Sequence, residues 1–171
     1  YMFKNGVTSI NSTFNQDISN WNTDKVENMQ DMFYRAHSFN QDISGWNVSN
    51  VTNMYGMFYY AESFNQDISG WNVSNVYNMG NMFAYATNFN QDISNWNTSS
   101  AYIMSGMFAN ASSFDQNLGS WDISGRDTFS YMNMAYMFQN VTLSTTNYDA
   151  LLNGWSTLSG TETKIPTDVN F

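Results

Sequence analysis

The sequence has no cysteine, one proline, one histidine and only five lysines and arginines among its 171 residues. Each scarcity bears on function. Without cysteine there is neither a disulfide framework nor a thiolate metal site, and the redox compartment is left open. His37 stands alone, so nucleophile-base pairs built on cysteine or on a second histidine, and His-rich metal centres, are out of reach. Five cations against 14 acids give a net charge of -9, which argues against nucleic acid as a partner, because phosphate binding relies on Lys and Arg releasing counterions. No apolar run approaches the roughly 20 residues needed to span a bilayer, and no charged-then-apolar start reads as a signal peptide.

What the chain has instead is aromatic residues, at 18%, and twelve methionines. Charged residues make up only 11%, yet the mean hydropathy is -0.45, so its polarity comes from Asn, Ser, Thr and Gln. Such a chain can bury enough apolar surface to order itself. Its length allows one domain or a short repeat array.

A repeat decides between these. Phe14, Phe39, Phe64, Phe89 and Phe114 are each 25 residues apart, and each opens a block reading FNQDIS-x-W-N, relaxed in the last to FDQNLGSWD. Trp21, Trp46, Trp71, Trp96 and Trp121 follow in step, and later in each block comes M-x-x-M-F-x-x-A, as in Met54, Met57, Phe58 and Ala61. A 25-residue period lies in the range of leucine-rich-repeat coils and below that of helix pairs or propeller blades. The FNQDIS segment reads as a strand with Phe14 and Ile18 inward. The Met stripe has the i, i+3, i+4, i+7 spacing of a buried helix face. The pattern therefore predicts an α/β solenoid: a right-handed leucine-rich-repeat-like array of about five 25-residue coils, each one short strand plus a helical turn, with a C-terminal helical cap.

The ends break the pattern. Residues 1–13 read as the end of a preceding coil with an insertion, since Tyr1-Met2-Phe3 looks like the close of an M-x-x-M-F unit. Residues 14–143 are the five-coil array, with an expansion between Trp121 and Met137. Residues 144–171 are the cap and the start of a following segment. In the cap, Ser144 or Thr145 is the N-cap, Tyr148, Leu151, Leu152 and Trp155 form an apolar stripe, and Gly154 terminates the helix. The N-terminal end shows no comparable cap, so the chain is expected to be part of a longer polypeptide.

These residues resemble the BspA-like leucine-rich-repeat surface proteins, the repeat type first described as a mycoplasma domain of unknown function. The resemblance runs from about residue 14 to 155 and is carried by FNQDISGWNVSNVTNMYGMF at Phe39 to Phe58 and by the closing LSTTNYDALLNGW. It implies a secreted or surface-anchored protein of a Bacteroidetes-like bacterium, with adhesion or protein interaction as its role and fibronectin among the ligands of some members. Fold-level analogy names no ligand, so the site is sought in the residues.

No catalytic residue is assigned. Paired carboxylates hydrolyse glycosides, but most Asp here are repeat-wide, whereas an active site needs a unique environment to separate two pKa values. The acidic column is the sharpest chemical feature: Asp17, Asp42, Asp67 and Asp92 align, and the fifth coil exchanges the column for Asn117 while Asp115 replaces the neighbouring Asn. Stacked strands would bring these carboxylates about 4.8 Å apart. The plain reading is that each Asp accepts backbone N–H groups in a turn. The functional readings are a row of oxygen ligands for calcium, which wants six to eight oxygens where one Asp per coil is sparse, or an acidic strip for a basic partner.

The second candidate surface lies where the coils differ. Tyr34, Tyr59, Tyr60 and Tyr85 follow the M-F pairs, and Tyr55, Tyr77 and Tyr102 occupy adjacent columns. The shared core pattern does not require them, and Tyr offers large amphipathic area at low entropic cost, which suits protein or glycan recognition. The expected function is a non-enzymatic adhesion or protein-interaction module at the bacterial cell surface. A passive spacer and an extracellular carbohydrate-binding module are the alternatives.

Overall fold

The computed structural model describes residues 13–123 and 134–156. Tyr1-Met2-Phe3, most of the expansion after Trp121, and the segment from Lys164 to Phe171 fall outside them.

The Met-Phe segments are not helical. In the stretch from Met54 to Ala61, Met57 N–H donates to Met54 O at 3.1 Å and Ala61 N–H donates to Phe58 O at 2.9 Å. Gly56, the third residue of the first of these turns, has φ 59°, and Tyr60, the third of the second, has φ 58°. Positive φ at that place is the signature of a type II turn. The same pairs recur as Asp31 and Arg35, Asn81 and Tyr85, Gly106 and Asn110, and Tyr136 and Asn140. Two left-handed residues in every eight break an α-helix, because each costs about 1–2 kcal/mol there. Tandem turns carry the same i, i+3, i+4, i+7 apolar spacing, which is why the stripe reads as a helix.

The N–H groups between the turn bonds reach sideways to the next repeat. Gly56 donates to Gly80 O, Phe58 to Met82 O and Tyr60 to Ala84 O, at 2.8 to 2.9 Å. Strand pairing proper shrinks to single parallel bridges, Asn28 to Asn53 to Asn78 to Ile103. The FNQDIS segments form no strand, because their amides go to side chains and turns: Asn40 N–H goes to Asn15 Oδ1 of the preceding repeat, and locally Ser44 N–H goes to Asp42 Oδ1 and Trp46 N–H to Ile43 O. Asn and Asp side chains compete with a ladder in this way. The expected right-handed, leucine-rich-repeat-like α/β solenoid, with a strand and a helical turn in each coil, is thus not what forms. Among the described residues there is no sheet, and the one helix is α1, Thr145–Ser156.

The 25-residue period instead produces like-on-like contact. Phe14, Phe39, Phe64, Phe89 and Phe114 stack ring on ring at 5.9 to 6.1 Å. Phe33, Phe58, Phe83, Phe108 and Phe138 stack beside them at 5.5 to 5.7 Å. The two columns touch where one block meets the next, Phe58 on Phe64 at 4.0 Å. Each aromatic pair adds about 0.5–1.5 kcal/mol beyond area burial. Ile43, Val51, Met54, Met57 and Ala61 complete a fully buried layer. Trp46, Trp71, Trp96 and Trp121 each tie their repeat to the one before: Trp71 Nε1–H donates to Ile43 O at 3.1 Å and Trp96 Nε1–H to Ile68 O at 3.1 Å.

Helix α1 closes the stack by imitating a repeat. Trp155 Nε1–H donates to Leu118 O at 3.0 Å, as the repeat Trp do, and its ring lies 6.4 Å from Phe138. Ser144 is the N-cap, its Oγ accepting Asn147 N–H at 3.4 Å. Gly154 does not end the helix, which runs to Ser156. It sits inside because a Cβ there would strike the Gly119 backbone, and a Cβ on Gly119 would strike Ala150 O. The two glycines let helix and last repeat approach backbone to backbone.

Candidate functional site

The acidic column is built into turns. The Oδ1 atoms of Asp17, Asp42, Asp67 and Asp92 each accept the N–H two residues on, from Ser19, Ser44, Ser69 and Ser94, at 2.9 Å. Asn117 does the same for Gly119. The backbone and side-chain bonds from these serines hold all four carboxyls below their ordinary value, while at Asp42 the neighbouring Asp67 and Asp17 push the other way. Asp115 stands in a different column. Asn15, Asn40, Asn65 and Asn90 each accept the N–H of their counterpart one repeat later, and Asp115 ends that chain by accepting Ser144 N–H at 2.8 Å and Asn147 Nδ2–H at 2.9 Å. Burial opposes its ionisation, but the bonds from Asn147 and Ser144 prevail and its carboxyl lies low. Among the described residues no three His, Asp or Glu side chains converge as a metal site. His37 Nδ1 lies 3.0 Å from Glu62 Oε1, an exposed pair of the kind worth under about 1 kcal/mol.

The tyrosines divide. Four of them meet in one cluster: Tyr34 stacks on Tyr59 at 5.1 Å, Tyr60 stacks on Tyr85 at 4.2 Å, and Tyr59 meets Tyr60 edge-on at 4.9 Å. The Arg35 guanidinium lies 5.3 Å from the Tyr34 ring and 5.6 Å from that of Tyr60. Burial raises the Tyr59 and Tyr60 hydroxyls above their ordinary value, with the adjacent tyrosines adding to it. Tyr55 joins this face through its hydroxyl, which accepts Asn81 Nδ2–H at 3.1 Å. Tyr77 and Tyr102 occupy another column, where they are exposed and, among the described residues, stack on no aromatic ring.

Beside the cluster the surface sinks. The column that holds Tyr34 and Tyr59 continues as Ala84, Ala109 and Gln139, and this step from large to small leaves a cleft of about 370 Å³. Tyr59 and Tyr85 wall one end and Tyr136 the other, with Asn81, Ser105 and Asn110 between. Tyr136 and the amides were not among the tyrosines picked out by sequence. The change of side-chain size down one column is the signal that would have found them.

Backbone conformation marks the same face. Tyr60, Tyr85 and Tyr136 have φ of 58° to 61°, where Asn110 and Asn140 stand in the equivalent or neighbouring turn positions of other repeats. Left-handed backbone costs a bulky residue about 1–2 kcal/mol, while Asn adopts it readily. One ring stack, at about 0.5–1.5 kcal/mol, offsets that cost without clearly exceeding it. Stability alone therefore gives little reason for tyrosine at these places.

A column-built core with a repeat-specific aromatic face defines a repeat protein. The chain matches, over residues 1–84 and 45–155, the family described as Mycoplasma protein of unknown function, DUF285, and it belongs to that family. No curated protein and no solved structure matches it. No helix among the described residues is long and apolar enough to cross a membrane.

Proposed function

We propose that the chain is a non-enzymatic adhesion or interaction module of a bacterial surface protein, akin to the BspA-like proteins its repeat resembles, and that the tyrosine face makes the contact. The observation that carries this reading is the placing of Tyr60, Tyr85 and Tyr136 in left-handed turns on an otherwise uniform scaffold. Strained residues at unusual φ cluster at functional surfaces. The acidic column supports it less, because each Asp spends an oxygen on its own turn.

Screening the 171-residue chain against extracellular-matrix proteins and a glycan array tests the proposal. Binding that falls with the triple change Tyr59→Ser, Tyr60→Ser, Tyr85→Ser, at an unchanged far-ultraviolet spectrum, is the expected result. Binding that survives the triple change moves the site elsewhere, and binding to nothing leaves a passive spacer.

A further inference from the structure

We infer that the cleft between Tyr85 and Tyr136 binds a neutral carbohydrate, a stretch of one to two pyranose rings. This rests on the adhesion reading and names its ligand. The volume, about 370 Å³, is at the small end of ligand sites. The buried Ala84 and Ala109, which replace tyrosine, close it below, and its walls are tyrosine rings, Tyr136 being 52% exposed. An apolar floor and aromatic walls suit the C–H face of a sugar ring, and the hydroxyls at the rim suit its polar edge.

The polar groups fit hydroxyls better than charges. No charged side chain lines the cleft. Asn81 uses its Nδ2 on the Tyr55 hydroxyl, and Asn110 uses its Oδ1 on Asn140 Nδ2 at 2.8 Å. Asn81 Oδ1 and Asn110 Nδ2, on adjacent repeats that line the cleft, keep their acceptor and donor capacity unspent on other side chains. A sugar hydroxyl is both donor and acceptor, so a pair of neighbouring hydroxyls can satisfy both. A charged glycan would find no counter-charge here, and the net charge of -9 repels an acidic one.

A peptide strand is the competing ligand, and the backbone disfavours it. Strand addition needs an open row of N–H and C=O groups. In this face Gly106 N–H already donates to Ala135 O, Phe108 N–H to Met137 O and Asn110 N–H to Gln139 O.

The test is calorimetric titration of the 171-residue chain with neutral tetrasaccharides of glucose, galactose and N-acetylglucosamine, with the Asn side-chain NH₂ signals followed by NMR. At least one is expected to bind at about millimolar or tighter, shifting the Asn110 side-chain signal. Tyr136→Ala and Asn110→Ala should each weaken it about tenfold or more, and Tyr102→Ala, outside the cleft, should not. Should Tyr136→Ala disturb folding, Ala109→Leu, which fills the floor, takes its place and should abolish binding. The inference is overturned if no neutral sugar binds at about 10 mM, or if binding ignores these changes. Capture of a matrix protein through Tyr59, Tyr60 and Tyr85 without any sugar binding would overturn the carbohydrate while leaving the adhesion reading standing.

Discussion

Replacing Gly106 by alanine should destabilise the protein, and the sign of the effect separates tandem turns from a helix. Gly106 has φ 61°, and a Cβ there would press on Asn81 Oδ1. The left-handed backbone costs alanine about 1–2 kcal/mol. Asn81 can give way only by moving the amide that donates to Tyr55, a bond worth about 0.5–1.5 kcal/mol. The expected loss is about 1.5–3.5 kcal/mol, read as a lower urea midpoint by tryptophan fluorescence. In a chain of this size it corresponds to a fall in Tm of about 3–14 °C. Gly45→Ala is the control, since a Cβ there meets nothing within 4 Å, and it should be neutral or stabilise by up to about 1 kcal/mol. If the segment from Met104 to Ala111 were helical, Gly106→Ala would instead stabilise by about 1 kcal/mol. That result would refute the turn geometry.

Four further outcomes follow from the same structure. Trp96→Phe removes the donor to the buried Ile68 carbonyl and should cost about 1–3 kcal/mol in urea unfolding, beyond the loss of ring volume. Asp115→Ala unties Ser144 and Asn147 and should speed hydrogen exchange in α1 while leaving the central repeats protected, at a cost of about 1–2 kcal/mol. Asp17, Asp42, Asp67 and Asp92 have folded values below the ordinary 3.8, so their contribution is complete above that pH and is lost as pH falls through the lower folded values. A Tm profile should therefore drop below about pH 4, and changing all four to Asn, which makes the same turn at position 117, should flatten it. Calcium at about millimolar concentration should leave Tm unmoved, and a rise would revive the acidic column as a ligand row.

The period and the core could be read directly, because buried columns must repeat the same side chain to stack. Phe14 to Phe114, the Met columns and the cap's N-terminus at Ser144 stand where the spacing put them. The conformation of the Met-Phe segment could not be read from its apolar positions, which suit a helix and tandem turns alike. Its turn signal was the Asp31, Gly56, Asn81, Gly106 column, all residues at ease with positive φ. The Asp column could be read in its plain sense, as turn acceptors: each of these carboxylates takes the N–H of a serine two residues on.

Sequence by itself determined the repeat, its buried columns, the closing helix and the scarcity of cysteine and histidine, since these depend on residue type and spacing within one chain. Tertiary structure alone decided that backbone N–H groups divide between turns and the adjacent repeat, that Asp115 anchors the cap, and that Ala84 and Ala109 line a cleft with Tyr85 and Tyr136. The physical reason is distance across repeats. A cleft exists only where residues about 25 positions apart become neighbours, and a step in side-chain size has no meaning until they do.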